Sequence, residues 1–314
     1  MSPGVLAGVA ADRIAPYVRR TPLAPFINGL ELKAESLQPT GSFKIRGAIN
    51  SILELGLAAR ARGVVAHSSG NHAQAVAYAA ARLGVRAVVV IPSDAPVAKI
   101  AGVRRWGAEV VVVGPASFER AARACELAEA HGYAPIEPYD SAAVIAATGT
   151  IGLEILAQAP QTRAVFAPLG GGGLMAGLAA VLKQLKPSIR VIGVEPELAA
   201  DAGESLRAGR IVCLPPEQMA RTIADGLRVQ QLGARNWPLI RDHVDEVVTV
   251  SEAAIRQAMV RIASEARLLA EPSGAVAAAG ALAVGGDLTG SVAILSGGNL
   301  DLSLFAGLVG ESTA

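Results

Sequence analysis

Cysteine is almost missing from this chain. Two residues, Cys125 and Cys213, among 314 build neither a disulfide framework nor a cysteine metal cluster, which suits a reducing compartment; both read as core. Aromatic residues are scarce at 4%, and 28 Lys+Arg against 27 Asp+Glu leave a net charge of +1. Such a composition offers nucleic acid neither a stacking surface nor a basic face. Charged residues reach 18% and apolar ones 52%, which excludes a disordered chain and provides for a large core. Lysine is rare: Lys33, Lys44, Lys99, Lys183 and Lys186 are the whole set. Met1-Ser2-Pro3-Gly4 begins no charged segment followed by an apolar run, so no secretory signal is expected. The uncharged stretch 164–182 has the length of a membrane span, but Pro168 and four consecutive glycines lie inside it and oppose a continuous helix. The expectation is a cytoplasmic protein that enters no membrane and binds no nucleic acid.

What the chain has is a repeated exchange of short β-branched runs and alanine-rich helical stretches. Strands are expected over 63–67, 86–91, 109–113, 164–168, 190–195, 246–250 and 291–295, and helices over 71–83, 117–131, 173–185 and 251–268. Nearly continuous apolar strands separated by helices indicate a parallel sheet covered on both faces, in an α/β protein. The glycine clusters fall just after strands and before helices, at the edge where open parallel sheets bind ligands.

Three of these loops have unusual content. The 63–67 strand runs into Ser68-Ser69-Gly70-Asn71-His72, the 164–168 strand into Leu169-Gly170-Gly171-Gly172-Gly173, and the 291–295 strand into Ser296-Gly297-Gly298-Asn299. Glycine permits close backbone approach, and the start of the following helix offers free N–H groups to an anion. The four consecutive glycines are therefore the best phosphate cradle in the chain. Read alone, Gly171, Gly173 and Ala176 followed by Glu195 also fit a dinucleotide fingerprint, which leaves the other two loops unexplained. A fourth segment, Pro39-Thr40-Gly41-Ser42-Phe43-Lys44-Ile45-Arg46-Gly47-Ala48, sets one of the rare lysines between Phe43 and Ile45. On the surface Lys44 is an ordinary snorkelling side chain. Buried, its amine loses basicity and becomes available as a base or a Schiff-base nucleophile. A phosphate cradle with such a lysine points to pyridoxal phosphate.

In this order, and over nearly the whole chain, the four segments resemble the fold-type II pyridoxal-phosphate enzymes of the threonine dehydratase and serine racemase branch. Gly149-Thr150, Ala224-Asp225-Gly226 and Glu271-Pro272 are further matches. The resemblance implies two domains, each a mainly parallel sheet flanked by helices, as in the tryptophan synthase β-like fold. A large domain covers 1–62 and 141–314, and a small inserted one over 63–140 closes on the substrate. Lys44 is implied to carry the cofactor and to act as base on the substrate Cα–H, with Phe43 beside the pyridine ring. Asn71 is assigned by the same likeness to the ring hydroxyl and Ser296 to the ring nitrogen. Gly170, Gly171, Gly172, Gly173 and Leu174 fall to the phosphate, and Gly226 and Glu271 to the remainder of the cofactor. Ser68, Ser69, Asn71 and His72 fall to the amino-acid substrate. Ser69 stands where racemase-like members resemble this loop and have an acid/base serine opposite the lysine; a serine at a helix start also fits an ordinary cap.

The implied reaction is β-elimination from a hydroxy amino acid, L-threonine or L-serine, giving a 2-oxo acid and ammonia. Serine racemisation and elimination from threo-3-hydroxyaspartate are the alternatives. A hydroxyl at the ring nitrogen holds a pyridinium less well than a carboxylate, which shortens the life of a carbanion and favours loss of the β-hydroxyl. The stretch from Glu195 to Asp201 resembles the divalent-metal site of racemase-like members. That likeness implies Glu195, the Ala199 carbonyl and Asp201 as ligands for Mg²⁺ (or Ca²⁺ or Mn²⁺); acids at a helix start explain the same pattern. The short stretch 24–30 departs from the family, so one wall of the site or an oligomer contact is expected to differ. Tyr139-Asp140 stands where mammalian racemases have asparagine and favours the lyase. A homodimer is implied.

Overall fold

In the strand Ala164–Pro168, Val165 and Ala167 belong to one apolar cluster and Phe166 to another, and all three are buried. The strand Ser291–Leu295 repeats the alternation, with Val292 and Ile294 on one side and Ala293 and Leu295 on the other. Successive side chains point to opposite faces of a sheet, so a sheet containing these strands needs cover on both. The computed structural model describes residues 1–68, 70–95, 97–115, 117–303 and 305–307. Among these, ten strands form two sheets.

The strands are β1 (Leu23–Pro25), β2 (Glu31–Ala34), β3 (Val64–His67), β4 (Ala87–Pro92), β5 (Glu109–Val113), β6 (Ala134–Pro135), β7 (Ala164–Pro168), β8 (Arg190–Pro196), β9 (Glu246–Val250) and β10 (Ser291–Leu295). The larger sheet has the order β1-β2-β10-β7-β8-β9, parallel except for the antiparallel pair β1–β2. The short 24–30 stretch thus makes an edge hairpin through the tight turn Ile27–Gly29. The smaller sheet, β5-β4-β3-β6, is wholly parallel.

Helices Ala142–Gln158 and Gly173–Leu185 cover one face of the larger sheet, and Glu252–Arg261 and Pro272–Val284 the other. Helices Lys44–Glu54 and Asn71–Leu83 pack one face of the smaller sheet, and Ser117–His131 the other. The stretch 164–182 is accordingly strand, glycine turn and helix, and among the described residues no helix is long and apolar enough to cross a membrane.

Two expectations need correction. The helix expected over 251–268 ends at Arg261 and passes into a π-helical turn, Ile262–Ala266, closed by Arg267 at φ +58. The wider turn redirects the chain toward buried Ala270 and Glu271. Cys125 and Cys213 are not core residues: both are exposed free thiols. The helix Ser117–His131 packs through Ala124 and Leu127, which leaves Cys125 on the solvent side.

A charge cluster, buried except for the partly exposed Glu154, forms where the helix Lys44–Glu54 meets β2 and the helix Ala142–Gln158. Arg46 is 1% exposed and reaches Glu35 through Nε (2.8 Å) and Nη2 (2.7 Å), and Glu154 through Nη1 (2.7 Å) and Nη2 (3.0 Å). Lys33 Nζ donates to Glu154 (2.6 Å), Gln158 (2.8 Å) and the Thr21 carbonyl (2.6 Å). Burial alone would raise the pKa of Glu35, but the charge and hydrogen bonds of Arg46 hold it below its usual range. Two cations and two anions balance, and each is hydrogen-bonded, which lets Arg46, Lys33 and Glu35 remain buried. Truncation of Arg46 leaves the buried Glu35 without its ion-pair partner, while Glu154 keeps Lys33: R46A is expected to lose about 3–5 kcal/mol of stability in urea unfolding. R46K, which keeps charge without the bidentate geometry, should lose less.

Candidate active site

Parallel strands deliver the turns that follow them to the same edge. The turns after β3, β7 and β10 meet there the segment leading into the helix Lys44–Glu54 and enclose a cavity of about 250 Å³. Phe43 and Lys44 line it from one side, Ser68, Asn71 and His72 from the second, and Gly170, Gly171, Gly172, Gly173 and Leu174 from the third. Gly226, Glu271 and Ser296 complete the wall. The structure therefore brings together the described residues assigned from sequence to cofactor and substrate; Ser69 lies outside the described residues.

Lys44 is the first residue of its helix, so its side chain leaves a backbone held by Phe43, whose N–H donates to the Ser296 carbonyl at 3.0 Å. Its Nζ donates to the Pro138 carbonyl at 2.7 Å and lies 5.1 Å from the Phe43 ring centroid. Among the described residues no carboxylate pairs with it. Removal from water pushes its pKa down to about 8. Beside it, burial and then the Lys44 charge push His72 down to about 3. Its neutral ring donates through Nε2 to the Ile136 carbonyl at 2.8 Å, so this nitrogen is committed to holding the chain after β6.

The glycine turn is packed so that side chains have no space. Gly172 sits at φ +89, and a Cβ there would meet Ile240 at 2.6 Å. A Cβ on Gly171 or Gly173 would run into Tyr139 at 2.6 Å. The Gly171 carbonyl is drawn back by Asn236 Nδ2 (2.7 Å) and the Gly233 N–H (3.1 Å), and the thirteen-residue helix Gly173–Leu185 starts at the cavity wall. A helix start presents unpaired N–H groups and a positive dipole end, a combination suited to phosphate. Ser296 Oγ is buried and donates to the Ser273 carbonyl at 3.3 Å, while Ser273 Oγ accepts from the Gly226 N–H at 2.8 Å. Ser68 Oγ accepts from the Gly70 N–H at 3.2 Å, which shapes the turn into the helix Asn71–Leu83.

The acids assigned to a metal lie outside this cavity. Glu195 ends β8 one residue before its close, Ala199 ends a tight helical turn, and Asp201 opens the helix Asp201–Ala208. Glu195 accepts from the Ala202 and Gly203 N–H groups, each at 2.8 Å. Both Asp201 carboxylate oxygens are buried without a hydrogen-bond partner among the described residues. Burial, and then the neighbouring Asp201, push Glu195 up to about 8; burial pushes Asp201 up to about 7.

Arg120 also lines the cavity, from the helix Ser117–His131, and sequence reasoning missed it. Its helix carries a second arginine, Arg123, one turn on, and no local signal separates the two. His67 was readable as a candidate, since it is the last residue of β3 at the carboxyl edge.

The family of pyridoxal-phosphate dependent enzymes matches residues 14–297. The chain belongs to this family. It is 39% identical over 309 residues to L-threo-3-hydroxyaspartate ammonia-lyase of Saccharomyces cerevisiae, with 96% of this chain and 94% of that one covered. It is 41% identical over 307 residues to serine racemase of Arabidopsis thaliana, covering 93% and 92%. The crystal structure of T.th. threonine deaminase superposes with a TM-score of 0.88 at 48% identity, over 95% of this chain and 98% of that one. The protein is thus a fold-type II pyridoxal-phosphate enzyme of the group that holds ammonia-lyases and racemases.

The residues present fit this cofactor. The turn that tolerates no Cβ suits a phosphate, and Lys44 supplies an amine without a counter-ion among the described residues. Because the neutral amine is the nucleophilic form and its pKa is lowered to about 8, capture of pyridoxal phosphate by the apoprotein should accelerate with pH up to about 8 and level off above it. Stopped-flow absorbance across pH 6–10 measures this, roughly two units either side of that midpoint; a midpoint near the unperturbed lysine value would contradict a buried amine.

Proposed function

We propose that the protein removes water from a 2-amino-3-hydroxy acid, L-threonine or L-serine, and releases a 2-oxo acid and ammonia. The observation that carries this reading is the convergence of the half-buried Lys44, the glycine turn and the Ser296 hydroxyl on one cavity. Bound pyridoxal phosphate supplies the electron sink for the charge left on the substrate Cα.

Lys44, as the neutral amine, takes the Cα proton, and in the overall balance that proton and the β-hydroxyl leave as one molecule of water. The enamine left behind tautomerises and is hydrolysed, which frees ammonia. Gly170, Gly171, Gly172, Gly173 and Leu174 bind the cofactor phosphate, Phe43 flanks its ring, and Gly226 and Glu271 complete its surroundings. Ser296 offers a hydroxyl to the ring nitrogen. Asn71 would meet the cofactor ring oxygen through its side-chain amide, and Ser68, Asn71 and the helix start at Asn71 would hold the substrate carboxylate, with His72 behind them. Ser69, which lies outside the described residues, is proposed from its place in the sequence as the acid/base that serine racemisation needs. Residues 63–140 act as a small domain that closes on the large one formed by 1–62 and 141–314. Two exposed free thiols support a reducing, cytoplasmic setting, and a homodimer is the proposed state.

A divalent cation, Mg²⁺ or its analogues, is proposed at Glu195, the Ala199 carbonyl and Asp201. Its support is the pair of buried Asp201 oxygens without a partner among the described residues, which a hard cation would satisfy. Its role is to brace β8 and the following helix. Mg²⁺ is expected to raise the melting temperature of the protein, as any ligand of the native state does, and D201N should abolish that response.

A specific observation favours threo-3-hydroxyaspartate as a further substrate. Arg120 lines the cavity, forms no ion pair among the described residues, and has a buried Nε without a partner there. Burial lowers its pKa, offset in part by the charge of Asp94. A second substrate carboxylate is the anion such a guanidinium lacks. R120L is therefore expected to lower kcat/KM for threo-3-hydroxyaspartate about 10- to 100-fold, the loss of a charge-assisted hydrogen bond, and to leave L-serine within a few-fold. Steady-state keto-acid release on L-threonine, L-serine, D-serine and threo-3-hydroxyaspartate, with chiral analysis of serine and with K44A as the inactive control, tests the assignment. Serine inversion without keto acid would establish the racemase instead.

A further inference from the structure

The turn after β10 ends in Asn299, a half-buried residue whose side chain joins three loops. Its Nδ2 donates to the Thr40 carbonyl at 2.8 Å and to Asn71 Oδ1 at 2.7 Å. Asn71 Nδ2 in turn donates to Glu271 Oε1 at 2.5 Å. Each end of this relay, a backbone carbonyl and a carboxylate, accepts hydrogen bonds. With acceptors at both ends, neither amide can be turned round without placing oxygen against oxygen. The orientation of Asn71 is therefore dictated from outside the cavity: its oxygen is taken by Asn299, and one of its two amide hydrogens by Glu271. The other hydrogen has no partner among the described residues, and Asn71 lines the cavity. The backbone makes room for this arrangement at Gly41, which has φ +72 and where a Cβ would collide with Asn299 Oδ1. The same turns are pinned together by the Gly298 N–H donating to the Gly41 carbonyl at 2.9 Å and by the Ser42–Gly297 bridge.

We propose that Asn299 is a positioning residue that polarises Asn71, so that Asn71 can offer the cofactor ring oxygen a hydrogen-bond donor and no acceptor. The proposal rests on the reading that Asn71 meets that oxygen. A donor stabilises the ionised ring oxygen and an acceptor the protonated one, so the relay sets both the affinity for the cofactor and the protonation of its ring. It also ties the start of the helix Asn71–Leu83 to the segment that carries Lys44.

The test is titration of the apoprotein variants N71A, N299A, N299D and N71A/N299A with pyridoxal phosphate, following the visible absorbance and its pH dependence in each holoprotein. N71A and N299A should each weaken cofactor binding about 10- to 100-fold, the range for one hydrogen bond to a charged group, and the double variant should be no weaker than N71A. N299D, nearly isosteric but with an acceptor facing the Thr40 and Asn71 oxygens, should bind no better than N299A and should shift the pH at which the visible band changes. If N299D behaves as wild type, or if the two single effects multiply in the double variant, Asn299 fills space and the proposal is overturned. If N71A leaves affinity and band unchanged, the reading on which it rests is the one that fails. Should N299A not fold, N71A/N299D completes the same cycle.

Discussion

An amine kept from water without a carboxylate to neutralise it is the arrangement on which the rest of the site depends. Lys44 has a backbone carbonyl and an aromatic neighbour but no anion among the described residues, so its proton is held loosely and the neutral form is within reach near neutral pH. Two residues further along the same helix, Arg46 is treated in the opposite way, with two carboxylates and a second cation closing every valence. The pair shows how one helical turn serves both stability and chemistry. The charge that is satisfied anchors the helix, and the charge that is not is left for a ligand.

The anchoring extends beyond that helix. Thr148 Oγ1 donates to the Gly173 carbonyl at 2.8 Å, and a Cβ on Gly177 would collide with the Ile145 carbonyl. The helices Ala142–Gln158 and Gly173–Leu185 are thereby held at backbone contact, and the glycine turn has no freedom to drift. On the other side the turn after β10 is stitched to the segment before Lys44. A cavity between such turns is preformed, and an incoming anion meets protein dipoles already in place.

Much of this was legible in the residues. The helices over 71–83, 117–131 and 173–185 and the strands over 109–113, 164–168, 246–250 and 291–295 begin and end where their apolar patterns do, because local periodicity and glycine punctuation decide them. The π-helical turn after Arg261 was not legible, since a wider turn is chosen by the packing it permits. Cys125 was misplaced for a related reason, since a small apolar residue in a helix says nothing of which side meets the sheet, and Cys213 lies in irregular chain, where there is no periodicity to read. Arg120 carried no signal either, because its role depends on what faces it across a gap.

The order of glycine turns, the rare lysine and the α/β alternation were determined by the sequence alone, because each is a property of neighbouring residues and of backbone conformations they allow. Only the tertiary structure decided that Arg120 would share a cavity with Lys44, that Asp201 would be buried without a partner among the described residues, and that Asn299 would hold Asn71 from behind. These facts depend on distances between segments remote in the chain, and a folded core sets those distances where no local preference can.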